Sequence, residues 1–263
     1  MAKQYRRPHR YKKRKPIYRS IVLWSAVFSL ILAYAVFYLL VLAGFSQVKE
    51  ARVTGLPEDL QNNLKFSVQE MIGSSVLSFP TRSIFLLDTG KMEREMFERF
   101  PCLATIKIQY DFPSSLNVKA VKREGLATFC QAGDCFAIDK EGIAFEVGDY
   151  LSPFIRTLIF TGEIKLGDKV ISREELKQLL EINSYLERDL GIALKEILIS
   201  PSGNLNVLTQ EGWEIYLNLG EETEWQLTKL KLLLDEKIPI RKRGDLEWIE
   251  LRFGNFANPK YKD

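Results

Sequence analysis

The spacing of hydrophobic residues changes from one segment of this chain to the next. Residues 20–45 form a run of 26 residues without a charged side chain. A helix across the ~30 Å hydrocarbon layer of a membrane needs about 20 apolar residues. A cleaved signal peptide is the alternative, but its apolar core usually has about 7 to 15 residues. The run therefore predicts a transmembrane helix.

The segment after this run alternates between strand and helix patterns. Apolar residues with a period of two predict strands, and apolar residues three or four apart predict amphipathic helices. A strand, two helices and two further strands are predicted at 48–55, 57–73, 89–100, 105–110 and 116–121. This order predicts a small sheet covered on one face by two helices.

The following segment combines short strands with two helices. Ser172 and Glu175 match a capping box, in which each side chain accepts a hydrogen bond from the other residue's backbone N–H. Thr223 and Gln226 match a weaker capping box for a second helix, in which Trp225 is available for burial. The chain is therefore predicted to be α+β, with one N-terminal transmembrane helix, a small βααββ domain and a larger, mostly antiparallel β domain with two helices.

The last predicted strand covers residues 246–253. Its apolar side chains alternate with charged ones, which is typical of a half-buried strand. The apolar face carries Ile249, Leu251 and Phe253, and the charged face carries Trp248, Glu250 and Arg252.

Charge is distributed unevenly along the chain. Nine cations and no carboxylate precede the apolar run, namely Lys3, Arg6, Arg7, Arg10, Lys12, Lys13, Arg14, Lys15 and Arg19. Because cytoplasmic flanks of spans are rich in Lys and Arg, the N-terminus is predicted to be cytoplasmic and the rest of the chain extracytoplasmic. Binding of nucleic acid or anionic lipid is the alternative use of this basic arm. Taking nine from 37 cations leaves 28 against 34 carboxylates, which argues against a polyanion-binding exterior.

The residues that usually carry chemistry are scarce. The single histidine is His9, in the basic arm, so no metal site is expected. Cys130 and Cys135 flank a four-residue turn that would set the two thiols opposite each other. They could form a disulfide outside the cytoplasm, or they could be two apolar side chains facing one core. No HExxH, nucleophile elbow, P-loop or Rossmann pattern is present, which favours a binding or scaffolding protein without enzymatic activity, cofactor or small-molecule substrate.

Five short motifs follow one another in a specific order. They are Val-Thr-Gly at 53–55, Phe-Pro-Cys-Leu-Ala at 100–104, Phe-Pro-Ser-Ser-Leu-Asn-Val at 112–118, an Asp-x-x-Gly-x-x-Phe hairpin at 139–145, and Trp-Ile-Glu-Leu-Arg-Phe-Gly-Asn at 248–255. Their order and spacing resemble the bacterial cell-division family FtsQ, called DivIB in some lineages. Gly125 stands where the family usually has proline, and Glu250 where it usually has aspartate.

The resemblance implies a domain layout and a location. It divides the chain into a basic cytoplasmic tail, a transmembrane helix, a POTRA domain, an FtsQ-type β domain and a C-terminal tail, at residues 1–19, 20–45, 47–123, 124–256 and 257–263. It places the protein in the bacterial inner membrane at the division septum, as a single-pass type II protein.

The resemblance also implies a scaffolding role in the divisome. Family members link FtsB- and FtsL-like bitopic proteins to septal peptidoglycan synthesis, and their last β strand pairs with a strand of the partner. The final strand here could present such an open edge. The matching partner-binding residues are Trp248, Glu250, Arg252, Phe253, Gly254, Asn255 and Tyr261. For Phe253, core packing is the alternative.

Two further expectations concern the membrane and the rival functions. Ser25, Ser29 and Ala33 form a stripe of small residues that permits close contact with another transmembrane helix. A POTRA-containing component of protein export and a membrane-anchored cell-wall enzyme are the alternative functions.

Overall fold

The computed structural model describes residues 21–38, 47–73, 87–148, 153–157, 163–200, 202–219 and 223–262. The helices are α1 (Ile21–Phe37), α2 (Glu58–Gly73), α3 (Thr89–Arg99), α4 (Arg173–Asp189), α5 (Thr223–Glu236) and a 3-10 helix (Ile240–Asp245). The strands are β1 (Glu50–Thr54), β2 (Leu103–Asp111), β3 (Ser115–Lys122), β4 (Ala127–Gln131), β5 (Asp134–Ile138), β6 (Ala144–Val147), β7 (Phe154–Thr157), β8 (Leu194–Ile199), β9 (Asn204–Thr209), β10 (Glu214–Asn218), β11 (Leu246–Glu250) and β12 (Asn258–Tyr261). The predicted α+β class and the large, mostly antiparallel sheet are confirmed.

Helix α1 contains 17 residues, all exposed. Among the described residues, no helix combines the length and the apolar character that crossing a membrane requires. Residues 20 and 39–45 of the predicted span, and the basic arm before it, lie outside the described residues. The small residues Ser25, Ser29 and Ala33 lie along α1, where the hydroxyl of Ser25 donates to the carbonyl of Val22 (3.0 Å).

The described residues between 47 and 123 form a three-stranded sheet with two helices, in the predicted element order. The strand order is β1-β3-β2, with β1 parallel and β2 antiparallel to β3. Asp88 caps α3 by accepting a hydrogen bond from the Lys91 N–H (3.0 Å). The helices and the sheet share one core, which includes Leu64, Val68, Met96, Leu103, Ile106 and Leu116.

The second sheet has nine strands in the order β12-β11-β10-β9-β8-β7-β4-β5-β6. Three neighbouring pairs are parallel, β11 with β10, β8 with β7, and β7 with β4, and the other pairs are antiparallel. Helices α4 and α5 contribute to a single core with this sheet, including Leu179, Leu186, Trp213, Ile215, Leu230 and Ile249. The predicted capping box of Ser172 and Glu175 is present at the start of α4.

The hairpin of β4 and β5 turns at two residues with positive φ, Ala132 (53°) and Gly133 (102°). Such a two-residue turn fixes the register of the strands. Cys130 and Cys135 are therefore directly opposite each other, with Cα atoms 4.1 Å apart, and they are joined by a disulfide.

The last predicted strand was wrong in extent, and it is followed by another strand. It ends at Glu250 rather than at residue 253, and β12 lies beside it. Residues 257–263, predicted as a tail, contain this added strand. β12 lies at the margin of the sheet, and neither its sequence nor its exposure alternates between apolar and polar or buried and exposed residues.

The capping interpretation of α5 was also wrong. Gln226 is buried and its amide bonds both backbone groups of Asn218, accepting from the N–H (2.9 Å) and donating to the carbonyl (2.8 Å). These bonds secure the end of β10 instead of the start of the helix. Trp225, which the sequence makes available for burial, is 43% exposed.

Candidate protein-binding edge

The two edges of the nine-stranded sheet differ in how they are closed. At β6, an adjoining segment supplies backbone partners, since the Ala144 N–H donates to Asp168 (2.9 Å) and the Gly167 N–H donates to Ala144 (2.7 Å). Ile143 and Lys169 form a bridge at the same place. At β12, no strand pairs with the outer side within the described part of the chain. An unpaired strand edge is a template for pairing with another chain.

The inner side of β12 is defined by its partner β11. The Leu251 N–H donates to the Tyr216 carbonyl on β10 (3.0 Å), so this residue directs its N–H away from β12. Backbone groups alternate along a strand, and those of Trp248 and Glu250 therefore face β12. Their partners on β12 are Lys260 and Asn258, respectively.

The outer side of β12 is consequently formed by Pro259 and Tyr261. Tyr261 offers both an N–H and a carbonyl, whereas Pro259 offers only a carbonyl. The Lys262 N–H donates inward to Asp245 (2.8 Å), which agrees with this alternation. A proline with its missing N–H on the outer side is the arrangement that edge strands tolerate. An added strand would find one donor and two acceptors here.

An aromatic and charged cluster lies on the sheet beside this edge. The rings of Tyr216 and Trp248 stack with centroids 5.6 Å apart. The Arg252 guanidinium lies 5.1 Å from the Tyr216 ring centroid and 5.4 Å from that of Phe253. It also donates to both carboxylate oxygens of Glu250, with Nε 2.8 Å from Oε1. Stacking and a bidentate ion pair hold these side chains in one arrangement.

The electrostatics of the cluster follow from these contacts. Burial raises the pKa of the Glu250 carboxyl, but hydrogen bonds from the Arg252 side chain and backbone outweigh burial and place the pKa below its usual value. The ion pair therefore stabilises the fold at pH values above the pKa that the Glu250 carboxyl has in the unfolded chain. This stabilisation is lost as the pH falls through the lower pKa of the same carboxyl in the folded chain. Burial and hydrogen bonding to Glu214 raise the pKa of Tyr216 to about 12, so its hydroxyl is neutral at physiological pH.

The loop from β11 to β12 is anchored by a buried lysine. Lys229 of α5 is 5% exposed, and its Nζ donates to the carbonyls of Leu251 (2.7 Å) and Gly254 (2.8 Å). The loop carries two outward aromatic side chains, Phe253 (69% exposed) and Phe256 (73% exposed). Lys229 thus holds the loop against α5, while the rings of Phe253 and Phe256 face solvent.

A cavity of about 210 Å³ lies between α5 and this loop. Its lining includes Trp225, Leu232 and Phe256, which are all exposed apolar side chains. Exposed apolar groups that cluster beside an open strand edge are typical of a protein interface. The edge and the cavity together offer backbone hydrogen bonds and a place for an apolar anchor.

The structure gathers the predicted partner-binding residues into one region. Trp248 and Glu250 lie on β11, and Tyr261 lies on β12. The loop between these strands carries Arg252, Phe253, Gly254 and Asn255. Phe253 is exposed, so the core-packing alternative for this residue is wrong. The predicted strand edge was also misplaced, because β12 covers β11.

Sequence reasoning missed Tyr216, Pro259 and Lys229. Tyr216 lies on β10 and Pro259 on β12, and the sequence does not show which strands lie beside these two. Lys229 had a detectable signal, since it lies three residues after Gln226 and four before Leu233 on the buried face of α5. A charged residue within an apolar stripe needs buried hydrogen-bond partners.

Replacement of this lysine tests the anchoring of the loop. We expect Lys229→Met to lower the free energy of unfolding by about 2 kcal/mol, because the buried carbonyl of Leu251 and the partly buried carbonyl of Gly254 lose a charged donor. Amide hydrogen exchange at residues 258–262 should accelerate, since β12 follows the loop. Lys231→Met, at an exposed position of the same helix, is the control and should change neither quantity. Unchanged exchange in Lys229→Met would show that the loop does not depend on this contact.

The chain has relatives among proteins named as cell-division proteins. No family model matches it. Over 196 residues it is 24% identical to "Cell division protein FtsQ" of Neisseria gonorrhoeae, and the aligned region covers 74% of each chain. Over 204 residues it is 22% identical to "Cell division protein FtsQ" of Neisseria meningitidis serogroup B, covering 77% of this chain and 80% of the relative. These matches confirm the resemblance to FtsQ/DivIB that the motifs predicted.

Proposed function

We propose that this protein is a non-enzymatic scaffold of bacterial cell division that binds a partner by strand addition at β12. The observation that carries the proposal is the outer side of β12, which no strand of the described residues covers, next to exposed aromatic side chains on the preceding loop. The matches to proteins named as cell-division proteins support the cellular role. In strand addition, main-chain hydrogen bonds supply affinity and side-chain pockets supply specificity.

The location in this proposal follows from the N-terminal segments. The uncharged residues 20–45 anchor the chain in the inner membrane, and the nine cations before them keep the N-terminus in the cytoplasm. Both sheets then lie outside the cytoplasm at the septum. The compartment is oxidising, which suits the disulfide of Cys130 and Cys135.

The partners in this proposal are FtsB- and FtsL-like bitopic proteins, which connect the chain to septal peptidoglycan synthesis. A strand of the FtsB-like protein pairs with β12, and an apolar side chain of the same protein enters the cavity beside Trp225 and Phe256. Residues 47–123 act as a POTRA domain that docks other division proteins. The stripe of Ser25, Ser29 and Ala33 contacts a partner helix within the membrane.

Proline at position 261 tests strand addition directly. Tyr261→Pro removes the outward N–H of β12, and we expect the dissociation constant for the FtsB-like protein of the same genome to rise about tenfold, the equivalent of ~1.4 kcal/mol. Binding is measured by isothermal titration calorimetry with both purified proteins.

Tyr261→Phe is the matched control because it keeps the backbone donor and the aromatic ring. It should bind as the unchanged protein does. Tryptophan fluorescence during denaturation checks that each variant is folded. Equal affinity of a folded Tyr261→Pro variant would exclude pairing at this edge.

A further inference from the structure

A second concave surface lies far from β12, along helix α4. It is a groove of about 750 Å³ between the side of α4 and the residues that precede β4 and follow β5. Its apolar lining comes from Leu126, Leu176, Leu180 and Tyr185. α4 has 17 residues, so at 1.5 Å per residue the groove runs beside a helix of roughly 25 Å.

The rim of this groove is basic. Lys140, Arg173, Lys177 and Arg188 line it, against two carboxylates, Glu181 and Asp189. Arg173 pairs with Glu141 outside the groove (3.4 Å), Lys177 pairs with Glu181 (3.5 Å), and Arg188 donates to the hydroxyl of Ser184. Lys140 has no carboxylate within ion-pair distance in the described ranges. The groove therefore has an excess of positive charge.

This excess contrasts with the surrounding chain. Residues 124–263 contain 25 carboxylates and 17 cations, which gives a net charge of −8. Four of these cations line one groove. A basic groove on an acidic domain attracts a negatively charged ligand selectively, because the rest of the surface repels it.

We infer that the α4 groove binds an acidic amphipathic helix of a partner protein. The leucines and Tyr185 accept the apolar face of that helix, and the basic rim accepts its carboxylates, as in helix-in-groove recognition. A membrane surface fits less well, because a bilayer cannot enter a concave groove. Flexible lysines on the rim can reach carboxylates at several positions of the bound helix.

The groove and the β12 edge can be occupied together. Leu126 and Lys140 belong to the β4 and β5 side of the sheet, and five strands separate β4 from β12 in the strand order. The chain would thus hold two partners at opposite ends of one sheet. The groove does not depend on strand addition, so either proposal can fail alone.

A designed peptide provides the probe. It is a fluorescein-labelled helix of about 18 residues, five turns, with leucines on one face and glutamates beside them. A matched peptide carries glutamine in place of every glutamate. Fluorescence anisotropy with the full-length chain in neutral detergent should show binding of the glutamate peptide only. Its affinity should fall as salt rises from roughly 0.05 to 0.3 M, because added ions screen the charges.

Charge reversal locates the site. The double variant Lys140→Glu with Lys177→Glu should weaken binding about tenfold or more. The control double variant, Lys195→Glu with Lys231→Glu, changes two exposed lysines outside the groove and should bind as the unchanged protein does. Both pairs lie on the surface, and tryptophan fluorescence verifies folding. The Tyr261→Pro variant should also bind the peptide normally.

Three results would overturn the inference. One is equal affinity for the glutamate and glutamine peptides, and another is unchanged affinity in the folded Lys140 and Lys177 double variant. The third is binding of soluble dihexanoylphosphatidylglycerol that this double variant loses, without binding of the peptide. That result would make the groove a lipid site.

Discussion

Gly142→Ala is expected to lower the free energy of unfolding by about 4 kcal/mol or more, into the range that few single substitutions reach. Gly142 has φ +76°, a conformation that costs an L-residue ~1–2 kcal/mol. A Cβ at this position would lie 2.0 Å from the carbonyl oxygen of Ile171. The backbone would have to separate there, which breaks the bond from the Val170 N–H to the Gly142 carbonyl (2.9 Å). The loss would open the β6 side of the sheet.

Gly203→Ala is the matched control. Gly203 has nearly the same φ, +77°, but among the described residues none beyond its two chain neighbours has an atom within 4 Å of the position that its Cβ would occupy. It should therefore lose only the conformational term, ~1–2 kcal/mol. Urea denaturation followed by tryptophan fluorescence measures both variants. Similar losses in the two variants would contradict the steric explanation.

Arg123→Met is expected to cost about 3 kcal/mol, because it leaves the buried carboxylate of Asp139 without its cation. The guanidinium of Arg123 donates to this carboxylate and, through Nε, to the Pro101 carbonyl (2.9 Å). The side chains of Arg123 and Asp139 are 11% and 6% exposed, respectively. Asp139 follows β5 and Arg123 follows β3, so the pair joins the two sheets.

Asp139 also shapes the turn that follows it, and a double variant separates this function from its pairing with Arg123. Its Oδ1 accepts the N–H groups of Glu141 (2.9 Å) and Ile143 (3.0 Å), which shapes the turn at Gly142. Asp139→Asn keeps that acceptor and removes the charge. In the double variant with Arg123→Met, we expect about half of the loss to be recovered, since no buried charge is left unpaired.

An exposed ion pair provides the control. Arg52→Met removes contacts to Glu50 and Asp111 at distances of 3.7 and 3.9 Å, with Arg52 62% exposed, and should cost under about 1 kcal/mol. All variants are compared by urea denaturation of the same full-length chain. If Arg123→Met lost no more than Arg52→Met, the junction of the two sheets would not depend on this pair.

The Asp-x-x-Gly-x-x-Phe motif acquires its physical explanation from these contacts. Asp139 shapes the turn, Gly142 permits the close approach of Ile171, and Phe145 is buried on β6. Sequence alone identified the motif by resemblance. It could not identify Ile171 as the neighbour, because that residue is 29 positions further along the chain.

The sequence predicted which residues form the candidate site better than it predicted how these residues are arranged. Trp248, Glu250 and Arg252 were placed on one face of a strand, and they share one cluster in the structure. The open edge was assigned to the wrong strand because β12 has no hydrophobic period. Lys229 and the loop it anchors are brought together by the packing of α5, not by proximity in the chain.

The sequence by itself determined the features that arise from neighbouring residues. Helical periodicity specified α2 and α3, Ser172 and Glu175 specified the start of α4, and the short turn indicated that Cys130 and Cys135 lie opposite each other. Only the tertiary structure decided that β7 lies between β4 and β8 and that β12 closes over β11. These pairings depend on backbone hydrogen bonds between distant segments, which leave no period in the sequence. For the same reason, the edge proposed to bind a partner became visible only in the folded chain.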